Sequence, residues 1–143
     1  MKKITVIYWS GSGNTKEMAE AVAAGAGSAG AEVALLAVDE ATAENVLTAD
    51  AVALGCPAMG DEVLEEGEME PFVTSVEGAG LNGKPIALFG SYDWGDGQWM
   101  RDWMARMNTR GAKLVADGLI VQNMPEEAQL SKCRELGVKL SEC

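Results

Sequence analysis

The apolar positions of the chain alternate between two patterns, short continuous runs and helical repeats. Continuous apolar runs are typical of strands buried on both faces, and they lie at residues 4–8, 33–38, 51–54, 84–89 and 113–121, the last interrupted by Gly118. Between these runs, apolar residues recur every three or four positions, which is typical of helices. The predicted helices cover residues 15–28, 39–47, 69–76, 98–107 and the segment that Pro125 opens.

This alternation of strands and helices is typical of an α/β domain whose parallel sheet is covered by helices on both faces. Right-handed crossovers give a doubly wound five-stranded sheet, for which we expect the strand order 2-1-3-4-5. In such sheets ligands bind at the carboxyl ends of the strands, beside the switch point between strands 1 and 3. We therefore expect the loops after strands 1, 3 and 4 to meet around one ligand. A length of 143 residues predicts a single domain over 1–143.

The first of these loops joins strand 1 to the first helix. It begins with Trp9 and continues with small or polar residues, namely Ser10, Gly11, Ser12, Gly13, Asn14 and Thr15. Free backbone N–H groups at a helix N terminus favour an anion. The loop has no lysine or arginine, and it lacks the patterns of nucleoside triphosphate and dinucleotide sites. A phosphate monoester held by neutral donors fits it best. A plain helix cap is the alternative, but one cap residue would suffice for that.

The second loop follows strand 3 and contains Cys56, Pro57, Ala58, Met59, Gly60, Asp61 and Glu62. The side chain of Met59 can lie against an aromatic ring. Gly60 can adopt backbone conformations closed to other residues, so the Gly60–Asp61 peptide can flip. Glu62 can accept a hydrogen bond from a ring N–H. Ordinary packing for Met59 and an ordinary turn at Gly60 are the alternatives.

The third loop follows strand 4 and contains Ser91, Tyr92, Asp93, Trp94, Gly95, Asp96 and Gly97. Its two aromatic residues belong to no periodic element, so we expect them to meet a ligand or a partner. Trp99 and Trp103 lie beyond the loop at helical spacing and are predicted to be core residues instead.

Composition and charge exclude several classes of function. A net charge of −11, with no Lys or Arg between Lys16 and Lys84, argues against nucleic-acid binding and favours docking to basic partners. A solvated acidic surface without a partner is the alternative. The absence of histidine excludes Ser-His catalysis and His-ligated metals. No run is long enough to span a membrane, and no signal peptide is recognisable, so we expect a cytoplasmic protein.

The three cysteines, Cys56, Cys133 and Cys143, show no C-x-x-C spacing, so neither a disulfide framework nor a zinc site is predicted. A phosphatase that used Cys56 would need an arginine a few residues on, and there is none. We therefore predict that Cys56 is a packing residue. A phospho-receiver domain shares the sheet order, but strands 1 and 3 end here without the carboxylates that it requires.

The three loops together resemble those of the flavodoxins, small electron carriers that contain FMN, and above all the short-chain clostridial type. The resemblance rests on YWSGSGNT at 8–15, AMGDE at 58–62 and GSYDWGDGQWMRD at 90–102. It implies that the first loop binds the FMN phosphate, that Met59 and Trp94 pack on opposite faces of the isoalloxazine, and that the third loop's backbone reaches the pyrimidine edge.

The resemblance also implies that Glu62 binds flavin N3 and that the Gly60–Asp61 carbonyl turns toward N5 when N5 is protonated. Two residues depart from the family pattern. Pro57 stands where some members have serine, which removes one hydroxyl near the phosphate. Asp93 replaces a commoner glycine, and an aspartate would strain the turn if this position has positive φ.

The function implied is that of a low-potential one-electron carrier, a monomer that cycles FMN between semiquinone and hydroquinone in place of ferredoxin. Negative charge near the ring is expected to disfavour the anionic hydroquinone. The carboxylates of Asp61, Glu62, Glu65, Glu66, Glu68 and Glu70 are expected to dock basic patches on ferredoxin-type oxidoreductases. The alternative is an FMN-dependent NAD(P)H or quinone reductase, although no insertion is long enough to build an obvious second-substrate pocket.

Overall fold

The structure is a computed structural model that describes residues 2–60 and 62–143. Strands and helices alternate along the chain, as the hydrophobic pattern predicts. In order, they are β1 (Lys3–Tyr8), α1 (Asn14–Ser28), β2 (Glu32–Ala37), a 3-10 turn (Val38–Glu40), α2 (Ala43–Leu47), β3 (Ala51–Gly55), α3 (Met69–Ala79), β4 (Pro85–Tyr92), α4 (Gln98–Thr109), β5 (Lys113–Leu114), β6 (Leu119–Gln122) and α5 (Glu127–Ser141).

The sheet has the order β2-β1-β3-β4, and both β5 and β6 pair with β4 at its far edge, all in parallel. The predicted fold class and the order 2-1-3-4-5 are therefore confirmed. The predicted fifth strand is two short strands, β5 and β6, which separate around Gly118. A Cβ at Gly118 would lie 2.4 Å from Met100 Sδ, so a larger residue there would require the Met100 side chain of α4 to shift.

Strand β2 differs from its prediction. Its almost wholly apolar sequence predicted a strand covered on both faces, but Glu32, Ala34 and Leu35 are exposed. The reason is position, since β2 is an edge strand that pairs only with β1. Strand β3, with a similar pattern, is central and entirely buried.

Two apolar cores cover the two faces of the sheet. Side chains alternate along each strand, so Val52 and Leu54 of β3 face the core under α3 and α4, while Ala51 and Ala53 face the core under α1 and α5. Trp99 and Trp103 are each 1% exposed, which confirms that they are core residues. Within the described residues, no helix has the length and the apolar character needed to cross a bilayer.

Candidate functional site

The three predicted loops meet at one groove beside the carboxyl ends of β1, β3 and β4. The groove has a volume of about 170 Å³ and is lined by Trp9, Gly11, Ser12, Asn14, Pro57, Ala58, Met59, Ser91, Tyr92 and Asp93. A second groove of about 450 Å³ shares Trp9, Gly11 and Ser12 with it and continues past Ser10 and Lys16. A larger cavity of about 530 Å³ lies elsewhere, against α5, and contains none of the predicted residues.

Several predicted contacts lie beside the first groove without lining it: Gly60, Glu62, Trp94, Gly95, Asp96 and Gly97. Asp61 lies outside the residues that the structure describes, and so does the part in the peptide flip that was predicted for it. Trp94 is 62% exposed, an unusual degree for the largest apolar side chain. An open edge with an exposed indole leaves room for a flat ligand between the second and third loops.

Ser10 organises the first loop. Its Oγ accepts hydrogen bonds from the backbone N–H of Gly13 at 3.1 Å and of Lys16 at 3.2 Å. With both acceptor positions engaged, the Ser10 hydroxyl hydrogen is left to donate. The loop is thus shaped by one side chain, which curls it around the N terminus of α1.

Backbone N–H groups without an acceptor at this helix terminus indicate whether it can bind an anion. The N–H groups of Gly11, Ser12 and Thr15 donate to no acceptor in the part of the chain that the structure describes. Together with the Ser10 hydroxyl they form a neutral donor set at the positive end of α1. This set fits the terminal phosphate of a monoester.

A buried hydroxyl pair fastens the first loop to the end of β4. Thr15 Oγ1 and Ser91 Oγ are 2.8 Å apart, and both residues are at most 5% exposed. Both were predicted as ligand contacts, but their hydroxyls bond to each other. Sequence reasoning could not find this pair, because the partners are 76 positions apart.

The second loop closes through two backbone hydrogen bonds between Met59 and Val63, of 2.9 and 3.0 Å. Gly60, inside this turn, has φ 49°. An ideal Cβ at Gly60 would meet nothing within 4 Å, so the conformation of the backbone, not crowding, favours glycine there.

The third loop carries less strain and less unbalanced charge than the sequence suggested. Asp93 is not among the residues with positive φ, so the strain that a positive φ would bring does not arise. Asp96 Oδ1 lies 2.9 Å from Arg101 Nη2 of α4. This exposed pair reduces the negative charge that Asp96 presents.

The acidic segment after the second loop is held in place by bonds within the protein. Burial opposes ionisation of Glu65, but the N–H groups of Met69, Glu68 and Gly67 outweigh it and hold the pKa of the Glu65 carboxyl below its usual value. Glu68 Oε1 accepts a 2.9 Å hydrogen bond from Trp9 Nε1, which ties the segment to the first loop.

Glu70 belongs to the same segment and faces α4. A hydrogen bond from Arg106 lowers the pKa of Glu70, and the two side chains form an ion pair of 2.7 Å. Three of the carboxylates predicted to dock partners, those of Glu65, Glu68 and Glu70, therefore have positions fixed by bonds within the protein.

Cys56 directly follows β3 and is fully buried. Burial raises the pKa of its thiol to about 12, so the nucleophilic thiolate is strongly disfavoured. The packing role predicted for Cys56 is confirmed.

Fold and site define a class: a doubly wound α/β protein with a loop of neutral hydrogen-bond donors at the switch point of its sheet. The sequence model of the flavodoxin family matches residues 6–137, and the chain belongs to that family. It is 48% identical to the flavodoxin of Clostridium beijerinckii over 136 residues, which cover 95% of this chain and 97% of that one.

Other relatives agree with this assignment. The flavodoxin of Megasphaera elsdenii is 42% identical over 134 residues, covering 94% of this chain and 95% of that one. The solution structure of the two-electron reduced M. elsdenii flavodoxin superimposes with a TM-score of 0.90 over 98% of this chain and 99% of that one, at 40% identity. The predicted short-chain type is confirmed, and FMN is the cofactor of this family of electron carriers.

Proposed function

We propose that this flavodoxin is a low-potential one-electron carrier that binds FMN non-covalently and transfers electrons between redox enzymes in place of ferredoxin. It acts as a cytoplasmic monomer, and residues 1–143 form one FMN-binding domain. The observation that carries the proposal is the meeting of a neutral donor loop with Met59 and Tyr92 at one groove, beside an exposed Trp94.

The FMN phosphate is the group that the first loop fits. The donors of this loop are the Ser10 hydroxyl and the N–H groups of Gly11, Ser12 and Thr15, which have no other acceptor among the described residues. Gly13 and Asn14 shape the start of α1, and Trp9 lines both grooves. A dianionic ligand without a lysine is stabilised here by backbone N–H groups and by the dipole of α1.

The flavin ring belongs between the second and third loops. Met59 supplies a polarizable apolar surface for one face and Trp94 an aromatic surface for the other. Pro57, Ala58, Ser91 and Tyr92 close the groove behind them, while the backbone from Asp93 to Gly97 lies at its open edge. Glu62 offers a carboxylate to the ring N3–H.

Bound FMN supplies the redox chemistry, and the protein sets its potentials. With FMN bound, the Gly60 carbonyl would be the group to accept a hydrogen bond from N5–H, and such a bond would favour the one-electron-reduced state by about 0.5–1.5 kcal/mol. Negative charge from Glu62 and Asp93 disfavours the anionic hydroquinone, whereas Asp96 contributes less because Arg101 is paired with it. We therefore propose that the protein would cycle FMN between semiquinone and hydroquinone at low potential.

A test of this function separates a carrier from a reductase. The FMN-loaded protein is mixed aerobically with NADH or NADPH, alone and with a ferredoxin-type reductase. We expect no steady NAD(P)H oxidation by the protein alone, because the sequence has no insertion long enough to build an obvious second-substrate pocket. Reduction of its flavin requires the reductase. Sustained turnover without the reductase would contradict the carrier function.

A further inference from the structure

Glu62 adopts a backbone conformation that glutamate normally avoids. Its φ is 57°, and Asn123 is the other non-glycine residue with positive φ among those described. The left-handed region favours glycine and, less strongly, asparagine and aspartate. Strained residues of this kind persist where surrounding contacts hold them, often at functional sites.

The contacts that hold Glu62 come from the N terminus of α4. Its Oε1 accepts hydrogen bonds of 3.1 Å from the backbone N–H of both Gly97 and Gln98. Helix α4 has no acidic residue in its own first turn and no side-chain bond from its N-cap, Gly97. Glu62 therefore supplies, from a different loop, the acceptor and the negative charge that stabilise a helix N terminus.

The third loop is shaped to receive this carboxylate. An ideal Cβ at Gly95 would lie 2.5 Å from both Cδ and Oε1 of Glu62. Gly95 also has φ 92°, so a side chain there would strain the backbone and would displace the Glu62 carboxylate. The glutamate of the second loop and the glycine of the third loop are thus complementary.

We infer that Glu62 is a positioning residue that fastens the second and third loops together before the cofactor binds. Through α4 and Gly95 it fixes the segment that carries Trp94 relative to the segment that carries Met59. Its Oε2 has no partner among the described residues and stays available for a ring N–H. The meaning of this contact for FMN rests on the proposed function, but the contact itself is made by this chain alone. Pre-arranged loops reduce the ordering cost of binding.

Amide hydrogen exchange in the FMN-free protein tests the contact directly. We expect Glu62→Ala to accelerate exchange of the Gly97 and Gln98 amides by about tenfold or more, because both lose their acceptor. Exchange at the centre of α4 should change little. Glu62→Gln keeps an oxygen acceptor and should restore part of the protection, and it also serves if Glu62→Ala folds poorly. Unchanged exchange of the two amides in both variants would overturn the inference.

A double-mutant cycle with Gly95→Ala tests the coupling to FMN. Each of Glu62→Ala and Gly95→Ala should weaken FMN binding, and the double variant should lose less affinity than the two single losses combined, because both remove the same contact while the backbone strain at Gly95 adds only its own part. Gly111→Ala is the matched control, since Gly111 has φ 83° and its Cβ would lie 2.5 Å from Asn82 Oδ1, away from the site. It should leave FMN affinity and both amides unchanged.

Additive losses in the cycle would show that Glu62 acts on FMN alone and would overturn the positioning role. A wild-type chain that takes up no FMN would instead contradict the proposed function. The amide exchange of the FMN-free chain would still decide whether Glu62 fastens the two loops.

Discussion

Ser10 shapes the phosphate loop through one hydroxyl that accepts two backbone hydrogen bonds. Replacing it with alanine frees the N–H groups of Gly13 and Lys16 and removes one donor to the phosphate. We expect Ser10→Ala to weaken FMN binding by about tenfold to a hundredfold, since a hydrogen bond to a charged group contributes about 1.5–3 kcal/mol. Fluorescence titration of the FMN-free protein measures the change.

Riboflavin, which lacks the phosphate, and Ser28→Ala are the controls. The Ser28 hydroxyl bonds to Gly25 at the opposite end of α1, so its loss should leave FMN affinity unchanged. Riboflavin affinity should fall much less than FMN affinity in Ser10→Ala. Equal losses for the two flavins would contradict the assignment of the first loop to the phosphate.

Gly60 lies in the turn proposed to move on reduction. A methyl group there would meet no neighbour within 4 Å, so Gly60→Ala restricts the backbone without crowding the site. We expect FMN still to bind and the maximal yield of semiquinone during reductive titration to fall. An unchanged yield would rule out the peptide flip.

At the residue scale, the sequence predicted the members of the site better than their contacts. The three loops are contiguous stretches, so their residue types showed which loops would gather. The partners of Thr15, Glu62 and Asp96 depend on tertiary geometry instead. No local sequence pattern indicates that Thr15 bonds to Ser91 or that Glu62 bonds to the N terminus of α4. The same holds for the ion pair between Arg101 and Asp96.

Helices α1 and α5 pack closely because glycines lie between them. An ideal Cβ at Gly25 would lie 2.0 Å from the Arg134 carbonyl oxygen. We expect Gly25→Ala to destabilise the FMN-free protein by about 1–3 kcal/mol, the usual cost of overpacking. Urea unfolding measures the free energy.

Gly27→Ala is the matched control on the same helix. A Cβ at Gly27 would meet only Val33 Cγ2, at 4.0 Å. Alanine should therefore stabilise α1 there by about 0.5–1 kcal/mol, because glycine is a poor helix former. The same sign of change in both variants would contradict the close-packing explanation.

At the element scale, periodicity predicted the order and type of the strands and helices, but not their exposure. An apolar run does not distinguish an edge strand from a central one, which is why the prediction for β2 was wrong. The interruption at Gly118 was predictable from the glycine itself, whereas the separate pairing of β5 and β6 with β4 depends on the whole sheet.

At the scale of the whole molecule, a net charge of −11 should govern encounters with partners. We expect electron transfer from a ferredoxin-type reductase to slow as ionic strength rises, because salt screens attraction between exposed charges. Stopped-flow reduction over a salt series measures this. A rate independent of salt would contradict docking through the acidic surface.

A single carboxylate of the acidic segment provides a more specific test of docking. Glu65 and Glu68 are bonded within the protein, while Glu66 has no partner in the described part of the chain. Glu66→Gln should therefore reduce the salt dependence without altering FMN binding. A loss of FMN affinity in this variant would show that Glu66 acts at the site itself.

Stepwise anaerobic reduction of the FMN-loaded protein, followed by its visible spectrum, tests the central claim most directly. The account predicts a yellow protein that passes through a blue neutral semiquinone at high yield before it bleaches at low potential. Direct bleaching without the blue species would contradict the one-electron carrier and favour two-electron chemistry.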